Sequence, residues 1–255
     1  MIYIMISYIQ KYYFEVRYMK ILITGGTRGI GRACVEAFAK QGHNVAFIYK
    51  SSDEAAKDLA DTLGCIAIKG DVSSATEAKA ATEQAITVLG GVDVLINNAG
   101  ISQIKLFTDI TDEDWDKMIS TNLSGAFYVA RAVIPSMVSQ KFGRIIQIGA
   151  MWGKTGASCE VHYSATKAAL RGMTMALAKE LGPSGITVNA IEPGVLATEM
   201  NSALDNETLA SLCDETPLGR LGAPKDVADL AVFLASDSAS FITGQIIGVD
   251  GGFAI

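Results

Sequence analysis

The sequence has few of the residues that bind metal ions or cross-link extracellular domains. Its four cysteines, Cys34, Cys65, Cys159 and Cys213, lie far apart without a CxxC pair, and only two histidines are present. A zinc site needs closely spaced Cys or His ligands, and a disulfide framework needs a denser set of cysteines. We therefore predict no metal site, no disulfide framework and a cytoplasmic location.

A cluster of positive charge is also missing. The 27 acidic side chains outnumber the 21 basic ones, the formal net charge is −6, and no dense Lys/Arg run occurs. Binding to nucleic acid relies on such a cluster, so we expect no nucleic-acid partner.

The sequence contains no long uncharged apolar run. The apolar and aromatic stretch at residues 1–18 is interrupted by Lys11, Glu15 and Arg17, whereas a membrane span needs about 20 nearly uncharged residues. It also lacks the initial basic residues and the small-residue cleavage site of a secretory signal. We predict no membrane partner and interpret residues 1–18 as an N-terminal extension preceding a natural start at Met19. A short extra strand or a dimer-contact arm is the alternative.

Short β-branched runs alternate with amphipathic segments along the rest of the chain. Seven runs predict buried strands, at 21–24, 45–49, 65–68, 92–96, 144–148, 186–191 and 245–249. Strands that are apolar throughout are typical of a parallel sheet covered by helices on both faces. Right-handed crossovers then predict an α/β fold, a Rossmann-type doubly wound seven-stranded parallel sheet in a single domain over 19–255. Residues 197–216 lack strand character and are a candidate substrate lid.

The first predicted strand leads directly into a glycine-rich turn, TGGTRGIG at 24–31, which opens a helix. Glycines in such a turn allow the backbone to approach a pyrophosphate, and the helix N-terminus stabilises the phosphate charge. A short glycine pattern is also compatible with a plain turn, but its place at the first strand-to-helix turn favours a dinucleotide site. The residues that we assign to the cofactor here are Gly25, Thr27, Arg28, Gly29, Ile30 and Gly31.

The end of the second predicted strand indicates which dinucleotide binds. Sites for NAD usually place an acidic residue there, which binds the ribose hydroxyls and repels a 2′-phosphate. Here Tyr49 has that position, Lys50 and Ser51 follow it, and Arg28 is within reach. Charge-assisted hydrogen bonds from these side chains would bind a phosphate, so we predict NADP(H). Alternatively, Lys50 and Arg28 are solvated surface charges.

Seven motifs occur in order along the chain: TGGTRGIG (24–31), DV (71–72), NNAG (97–100), N (122), YSATK (163–167), PG (193–194) and ITGQIIGVDGG (242–252). Through them the chain resembles the short-chain dehydrogenase/reductase family from Met19 to the C-terminus, and within it the bacterial 3-oxoacyl-[acyl-carrier-protein] reductases. The resemblance implies NADPH-dependent reduction of a carbonyl to a secondary alcohol in fatty-acid synthesis. It also implies a homotetramer, because the last motif packs between subunits in this family.

The resemblance assigns further residues to the cofactor. They are Asp71, Val72, Asn98, Ala99, Gly100, Pro193, Gly194 and Thr198. Asp71 and Val72 are expected at the adenine, the NNAG segment beside the adenine ribose, and Thr198 at the pyrophosphate or the nicotinamide amide. The alternative for Asp71 and for NNAG is ordinary turn chemistry.

Tyr163 and Lys167 lie four residues apart on a predicted helix and therefore share a face. A phenol has a pKa near ~10, and an ammonium beside it favours the phenolate, so we expect a lowered Tyr163 pKa. The resemblance implies that Tyr163 protonates the substrate carbonyl and that Lys167 binds the nicotinamide ribose. It further implies that Asn122 anchors a water that relays protons to the lysine. Without the other motifs, the pair would be an ordinary amphipathic face.

The fourth catalytic residue of the family is a serine thirteen residues before the tyrosine, and Ala150 occupies that position. Loss of one donor to a developing oxyanion typically costs ~10²–10³ in turnover, so we expect impaired activity. Three explanations remain open. The position carries an inactivating Ser→Ala substitution, or a natural variant takes its donor from Ser158 or His162, or the protein binds NADP without catalysis. The retention of Tyr163 and Lys167 argues against the last.

The sequence gives opposing indications about the substrate. Reductases that dock acyl carrier protein often present two basic residues, and this chain has Lys141 at the first position but Ser184 at the second. Glu160 and Trp152, near the predicted site, instead favour a substrate with a positive end. The loop around them is similar to that of reductases acting on the aminopentanone modification of elongation factor P. We expect the substrate to be a carrier-bound 3-oxoacyl thioester. The alternative substrate is this cationic ketone or another small ketone. The purely structural interpretation of Glu160 is an acid that complements the dipole at a helix N-terminus.

Overall fold

The computed structural model describes residues 18–198 and 205–255. Residues 1–17, which make up nearly all of the predicted N-terminal extension, lie outside the described residues. The division at residue 18 therefore stays a prediction. Residues 199–204 of the candidate lid are likewise outside them, and the part of this segment that follows forms a helix.

Seven parallel strands form one sheet in the order β3-β2-β1-β4-β5-β6-β7. They are β1 (Lys20–Thr24), β2 (Asn44–Tyr49), β3 (Ile66–Lys69), β4 (Val94–Asn97), β5 (Gly143–Ile148), β6 (Ile186–Pro193) and β7 (Ile246–Val249). The doubly wound parallel fold predicted from the sequence is confirmed. The strand ends differ from the predicted ones by at most two residues. The largest differences are at β4, which begins at Val94 instead of residue 92, and at β6, which continues to Pro193. Cys65 precedes β3, and its N–H bonds to Ala60 O at the end of a helix.

The helices cover both faces of this sheet. They are α1 (Gly29–Lys40), α2 (Asp53–Leu63), α3 (Ala75–Leu89), α4 (Asp112–Ile119), α5 (Gly125–Gln140), α6 (Trp152–Thr155), α7 (Val161–Leu181), α8 (Asn206–Glu215) and α9 (Pro224–Ala235). A π-helical turn, Ser120–Ser124, joins α4 to α5. Within the described ranges, no helix is long and apolar enough to cross a membrane.

Alternation along each strand supplies two hydrophobic cores. In β1, Ile21 and Ile23 belong to the core that also contains buried residues of α1, α2 and α9. Leu22, between them, belongs to the core on the other face, with α3, α5 and α7. Successive side chains of a strand point to opposite faces, so a strand covered on both sides must be apolar at every position.

The strand order reverses at β1, whose neighbours are β2 on one side and β4 on the other. Connections after β1 and β4 therefore diverge, which opens a crevice at the carboxyl edge of the sheet. Helix α1 begins at this edge and packs closely on the turn before it. A Cβ added to Gly31 would overlap Gly25 O and lie 2.6 Å from Asn98 Nδ2.

We predict that Gly31→Ala destabilises the fold by about 1–3 kcal/mol, because the added methyl meets backbone that cannot move without shifting α1. Urea unfolding at fixed protein concentration measures this. The matched control is Gly172→Ala on α7, where an added Cβ meets nothing within 4 Å. This control should raise the free energy of unfolding by about 0.5–1 kcal/mol, since alanine is the better helix former. Equal effects of the two substitutions would contradict the packing argument.

Candidate active site

A cavity of about 600 Å³ lies at the carboxyl edge of the sheet. Most of the residues predicted from the sequence line it. They are Gly25, Thr27, Arg28, Gly29, Ile30, Tyr49, Lys50, Ser51, Asp71, Val72, Asn98, Ala99, Gly100, Ala150, Tyr163, Lys167, Pro193, Gly194 and Thr198. Gly31 and Asn122 do not line it. The cavity thus joins the glycine turn, at one end, to the Tyr163/Lys167 pair.

The glycine turn is held open by its own backbone and by Asn98. Gly25 and Gly29 have φ of 68° and 52°, the left-handed region that favours glycine. The Asn98 amide donates to Thr24 O at 2.9 Å and to Gly25 O at 3.1 Å. The residue before α1, Arg28, has no side-chain acceptor to cap the first N–H groups of the helix. These N–H groups and the open turn fit the pyrophosphate of a dinucleotide.

The predicted phosphate-binding residues Arg28, Lys50 and Ser51 all line the cavity, and Lys50 has a partner that was not predicted. Lys50 Nζ lies 2.6 Å from Asp71 Oδ2, and the lysine side chain is 66% exposed. Burial opposes ionisation of Asp71, but the Lys50 ammonium and hydrogen bonds from Ser73 lower the Asp71 pKa overall. Asp71 therefore holds Lys50 at the cavity wall, a contact that the sequence analysis did not foresee.

Tyr163 and Lys167 share the first two turns of α7, as their spacing predicts, but the ammonium does not bond to the phenol oxygen. Lys167 Nζ donates to Ile148 O at 2.8 Å and lies 5.5 Å from the centre of the Tyr163 ring. Burial, together with the Glu160 carboxylate, raises the Tyr163 pKa. The expected lowering of this pKa was therefore wrong for this structure, because desolvation of the phenolate outweighs the nearby ammonium.

Lys167 is only 4% exposed. Burial lowers its pKa to about 8, and the Glu192 carboxylate opposes this shift. The lysine is thus a group that changes charge close to neutral pH, whereas the tyrosine keeps its proton there.

Asn122 fixes the backbone beside the cavity. Within the π-helical turn it is 1% exposed; its amide donates to Ile101 O at 2.9 Å and its Oδ1 accepts from Ile101 N at 2.8 Å. A Cβ on Gly100 would lie 3.3 Å from Asn122 Oδ1 and 3.7 Å from Lys167 Nζ. Asn122 Oδ1 and Lys167 Nζ therefore both lie next to Gly100 in the cavity wall. The Asn122 side chain is bonded to the main chain of Ile101.

Ala150 follows β5, lines the cavity and is 6% exposed. Neither of the two side chains considered as substitute donors lines the cavity. His162 is fully buried and its Nε2 lies 2.9 Å from Gln103 Oε1, whereas Ser158 is exposed, with its hydroxyl 3.7 Å from Cys159 Sγ. The structure therefore gives no support to a replacement hydroxyl or imidazole from these residues.

A polar network missed by the sequence analysis orders the loop that follows β4. Besides its contact with His162, Gln103 donates to Asp114 Oδ1 at 2.9 Å, and Lys105 Nζ lies 2.5 Å from Asp114 Oδ2. Asp114 also forms a capping box with Thr111 at the start of α4. The T-x-x-D spacing signals the capping box, but no pattern signals the partners of Gln103, because they come together only in the fold.

Glu160 is the N-cap residue of α7, and its side chain lines the cavity beside Tyr163. Burial raises the Glu160 pKa. Trp152 also lines the cavity, and its ring packs edge-on against Phe253 with 5.8 Å between ring centres.

Ile104 also lines the cavity and is 69% exposed. Its neighbour Lys105 donates from its N–H to Cys159 O at 2.7 Å, which brings the Ile104 loop next to the Glu160 segment. The cavity lining thus includes an acid, an aromatic ring and an exposed apolar side chain.

The residues considered for carrier docking lie at the other edge of the sheet. Lys141 ends α5 just before the amino end of β5, and Ser184 lies just before the amino end of β6. The two are adjacent, since a Cβ on Gly185 would lie 2.7 Å from Lys141 O. Because the cavity is at the carboxyl ends of the same strands, Lys141 does not border the cavity of its own chain.

Comparison with known proteins agrees with this architecture. A family model described as enoyl-(acyl carrier protein) reductase matches residues 25–254. The 3-oxoacyl-[acyl-carrier-protein] reductase FabG of Aquifex aeolicus is 40% identical over 236 residues, which cover 91% of this chain and 95% of that protein. The acetoacetyl-CoA reductase of Shinella zoogloeoides is 42% identical over 232 residues, covering 91% and 96%.

Among solved structures, a Brucella melitensis protein described as a short-chain dehydrogenase/reductase of the glucose/ribitol dehydrogenase type superposes with a TM-score of 0.88. It is 36% identical, and the alignment covers 95% of this chain and 99% of that one. The matches span almost the whole length of the chain and of its relatives. The chain therefore belongs to the short-chain dehydrogenase/reductase family, whose members are oxidoreductases.

Proposed function

We propose that this chain reduces a carbonyl to a secondary alcohol with NADPH, and that its substrate is a 3-oxoacyl thioester carried by acyl carrier protein. One observation carries the proposal: a single cavity joins the glycine turn to Tyr163 and Lys167. The family uses a nicotinamide cofactor. A dinucleotide bound at the glycine turn and extending along this cavity would bring its reactive end towards these side chains.

The bound nicotinamide supplies the hydride, and Tyr163 supplies the proton. A raised Tyr163 pKa keeps the phenol protonated at neutral pH, which is the state that the acid of a reduction requires. In this proposal Lys167 binds the nicotinamide ribose, and its pKa of about 8 allows it to pass a proton to Tyr163 after the reaction. Asn122 holds the Ile101 backbone that forms the wall beside them.

Ala150 leaves the carbonyl oxygen without the hydroxyl donor that the family places there. Its methyl group lies in the cavity wall next to groups that are otherwise retained. An inactivating Ser→Ala substitution therefore agrees better with the site than a substitute donor does. It also agrees better than a binding protein without catalysis, which would not require Tyr163 beside a buried lysine.

NADP(H) is favoured over NAD(H) by charge at the end of β2. Arg28, Lys50 and Ser51 line the cavity there, and Tyr49 stands where an acid would repel a 2′-phosphate. A dianionic phosphate would form charge-assisted hydrogen bonds with the two cations.

The thioester class is supported by relatives rather than by contacts. Two of the similar proteins are described as acting on a 3-oxoacyl carrier thioester and on acetoacetyl-CoA, and the exposed Ile104 on the cavity lip suits an acyl chain. A second candidate, a ketone with a cationic end, is favoured by the Glu160 carboxylate in the cavity wall.

We also propose a homotetramer. Large apolar side chains remain exposed on three helices, with Phe127 on α5 (44%), Met175 on α7 (46%) and Phe233 on α9 (42%), and Phe241 before β7 is fully exposed. Apolar patches on two sides of a subunit suit two separate two-fold interfaces.

For the cofactor, we predict that NADPH binds at least about tenfold more tightly than NADH, and that Arg28→Ala removes most of this difference. Loss of a charge-assisted hydrogen bond to the 2′-phosphate weakens only NADPH binding. Titration calorimetry gives both dissociation constants. Lys179→Ala, an exposed cation remote from the cavity, is the control and should change neither. Equal affinities for the two cofactors would refute the assignment.

For catalysis, we predict that Ala150→Ser raises the rate of NADPH oxidation with acetoacetyl thioester by ~10² or more and hardly changes the NADPH dissociation constant. The hydroxyl acts on the carbonyl, not on the cofactor. Ala165→Ser, exposed on α7 and outside the cavity, is the matched control. Tyr163→Phe in the restored background should abolish the gain. A chain that already turns over at a rate unaffected by Ala150→Ser would show that another donor is present.

For the substrate, we predict that the Ala150→Ser protein has a kcat/KM at least about tenfold higher for acetoacetyl thioester than for a cationic aminoketone. Glu160→Gln should then change thioester turnover less than about threefold, because a neutral carbonyl gains little from the charge. Glu180→Gln, exposed on the same helix, is the control. Preference for the aminoketone, lost on Glu160→Gln but kept in the control, would establish the second candidate instead.

A further inference from the structure

A partly buried ion pair lies close to the Tyr163/Lys167 pair. Glu192, near the end of β6, is 4% exposed, and its Oε2 lies 2.5 Å from Nη1 of Arg171 on α7. The other oxygen, Oε1, is buried and has no hydrogen-bond partner among the described residues. A buried carboxylate is costly, and one with an oxygen that has no hydrogen-bond partner is more so. Glu192 is therefore expected to have a role other than stabilising the fold.

The unpartnered oxygen of Glu192 faces the backbone that holds Lys167. Strands β5 and β6 pair Ile148 with Ile191, which places Gly149 beside Glu192. A Cβ on Gly149 would lie 3.0 Å from Glu192 Cγ and 3.5 Å from Glu192 Oε1. The missing side chain at Gly149 thus lets the carboxylate approach the strand end.

Lys167 contacts the same stretch of backbone from the cavity side. Its Nζ donates to Ile148 O, the carbonyl of the peptide bond that joins Ile148 to Gly149. The ammonium and the carboxylate therefore lie at one peptide unit, in a region from which water is largely excluded. Opposite charges placed near one another interact more strongly where water is excluded.

The other charged and titratable groups around Lys167 have different partners. On α7, Glu160 lies by Tyr163 and raises its pKa, and Arg171 is bonded to Glu192. Asp250, after β7, accepts hydrogen bonds from the N–H groups of Gly252 and Ala254. Glu192 is thus the carboxylate placed to balance the charge of Lys167.

We propose that Glu192, held by Arg171, is a positioning residue that keeps Lys167 in its ammonium form and seated on Ile148 O. Arg171 lies one helical turn beyond Lys167 on α7. Lys167 bonds to the end of β5 and Arg171 to Glu192 near the end of β6. The consequence for turnover rests on the proposed function, whereas the charge of Lys167 can be measured without it.

The test is a pH titration of the chain labelled with ¹³C-lysine, followed by NMR. The Lys167 side-chain signal is identified by its loss in Lys167→Met. We expect Glu192→Gln, which keeps the shape and a hydrogen bond to Arg171, to lower the Lys167 pKa by at least about 0.5, because the counter-charge is gone. Glu192→Asp, which keeps the charge, should leave the Lys167 pKa close to that of the unsubstituted chain. Glu180→Gln on α7 is the control and should leave the Lys167 pKa unchanged.

Glu192→Gln leaves Arg171 without its charged partner and can prevent folding. The double variant Arg171→Met/Glu192→Gln leaves no unpaired arginine. We expect it to lower the Lys167 pKa, because Glu192 is the nearer charge. The lowering should be smaller than in Glu192→Gln alone, because the loss of Arg171 also removes a positive charge. A Lys167 pKa within about 0.2 of the unsubstituted chain, in either folded variant, would overturn the inference.

Turnover separates this inference from the proposed function. In the Ala150→Ser background, the alkaline limb of the rate–pH profile should shift with the Lys167 pKa when Glu192 is replaced. A shift of the NMR titration without any reductase activity would refute the function and leave the charge pairing standing. Reductase activity with an unshifted Lys167 pKa would refute the charge pairing and leave the proposed function standing.

Discussion

The burial of the Lys167 ammonium is the constraint on which the rest of the site depends. An ammonium ion with 4% exposure is costly unless fixed groups replace its water. Ile148 O at the end of β5 accepts its hydrogen bond, and the Glu192 carboxylate offsets part of the desolvation. The close contact at Gly100 and the bonds of Asn122 to Ile101 keep the wall in place. The strand ends, the π-helical turn and α7 are therefore arranged around one charge.

The same burial gives the two neighbouring groups opposite shifts in pKa. It raises the Tyr163 pKa and lowers that of Lys167 to about 8. An acid that keeps its proton beside a base that titrates near neutral pH is suited to protonating an alkoxide as it forms. Ala150 has no charge or hydrogen-bond donor, so it adds neither an electrostatic nor a hydrogen-bonding contribution to these two pKa values. The proton-transfer residues and the oxyanion donor are thus separable parts of the site.

The sequence predicted the features that depend on local spacing. Apolar runs predicted seven strands and their parallel class, the glycine pattern predicted the turn before α1, and the Tyr163/Lys167 spacing predicted the shared helix face. Contacts between distant segments were not predictable in this way. The partner of Lys50 is Asp71, and the bond from Lys167 runs to Ile148 O. The wrong direction for the Tyr163 pKa has the same origin, since four-residue spacing fixes a face but neither distance nor burial.

Glu160 has an effect that does not require a cationic substrate. Its charge lies at the first turn of α7 and adds to burial in raising the Tyr163 pKa. A carboxylate at a helix N-terminus is also favoured by the helix dipole. Glu160 therefore raises the pKa of the proposed proton donor, Tyr163, and this effect does not depend on which carbonyl is bound. The exposed, apolar Ile104 also lines the cavity, so the proposed acyl thioester, whose reacting carbonyl is neutral, is compatible with a carboxylate at Glu160.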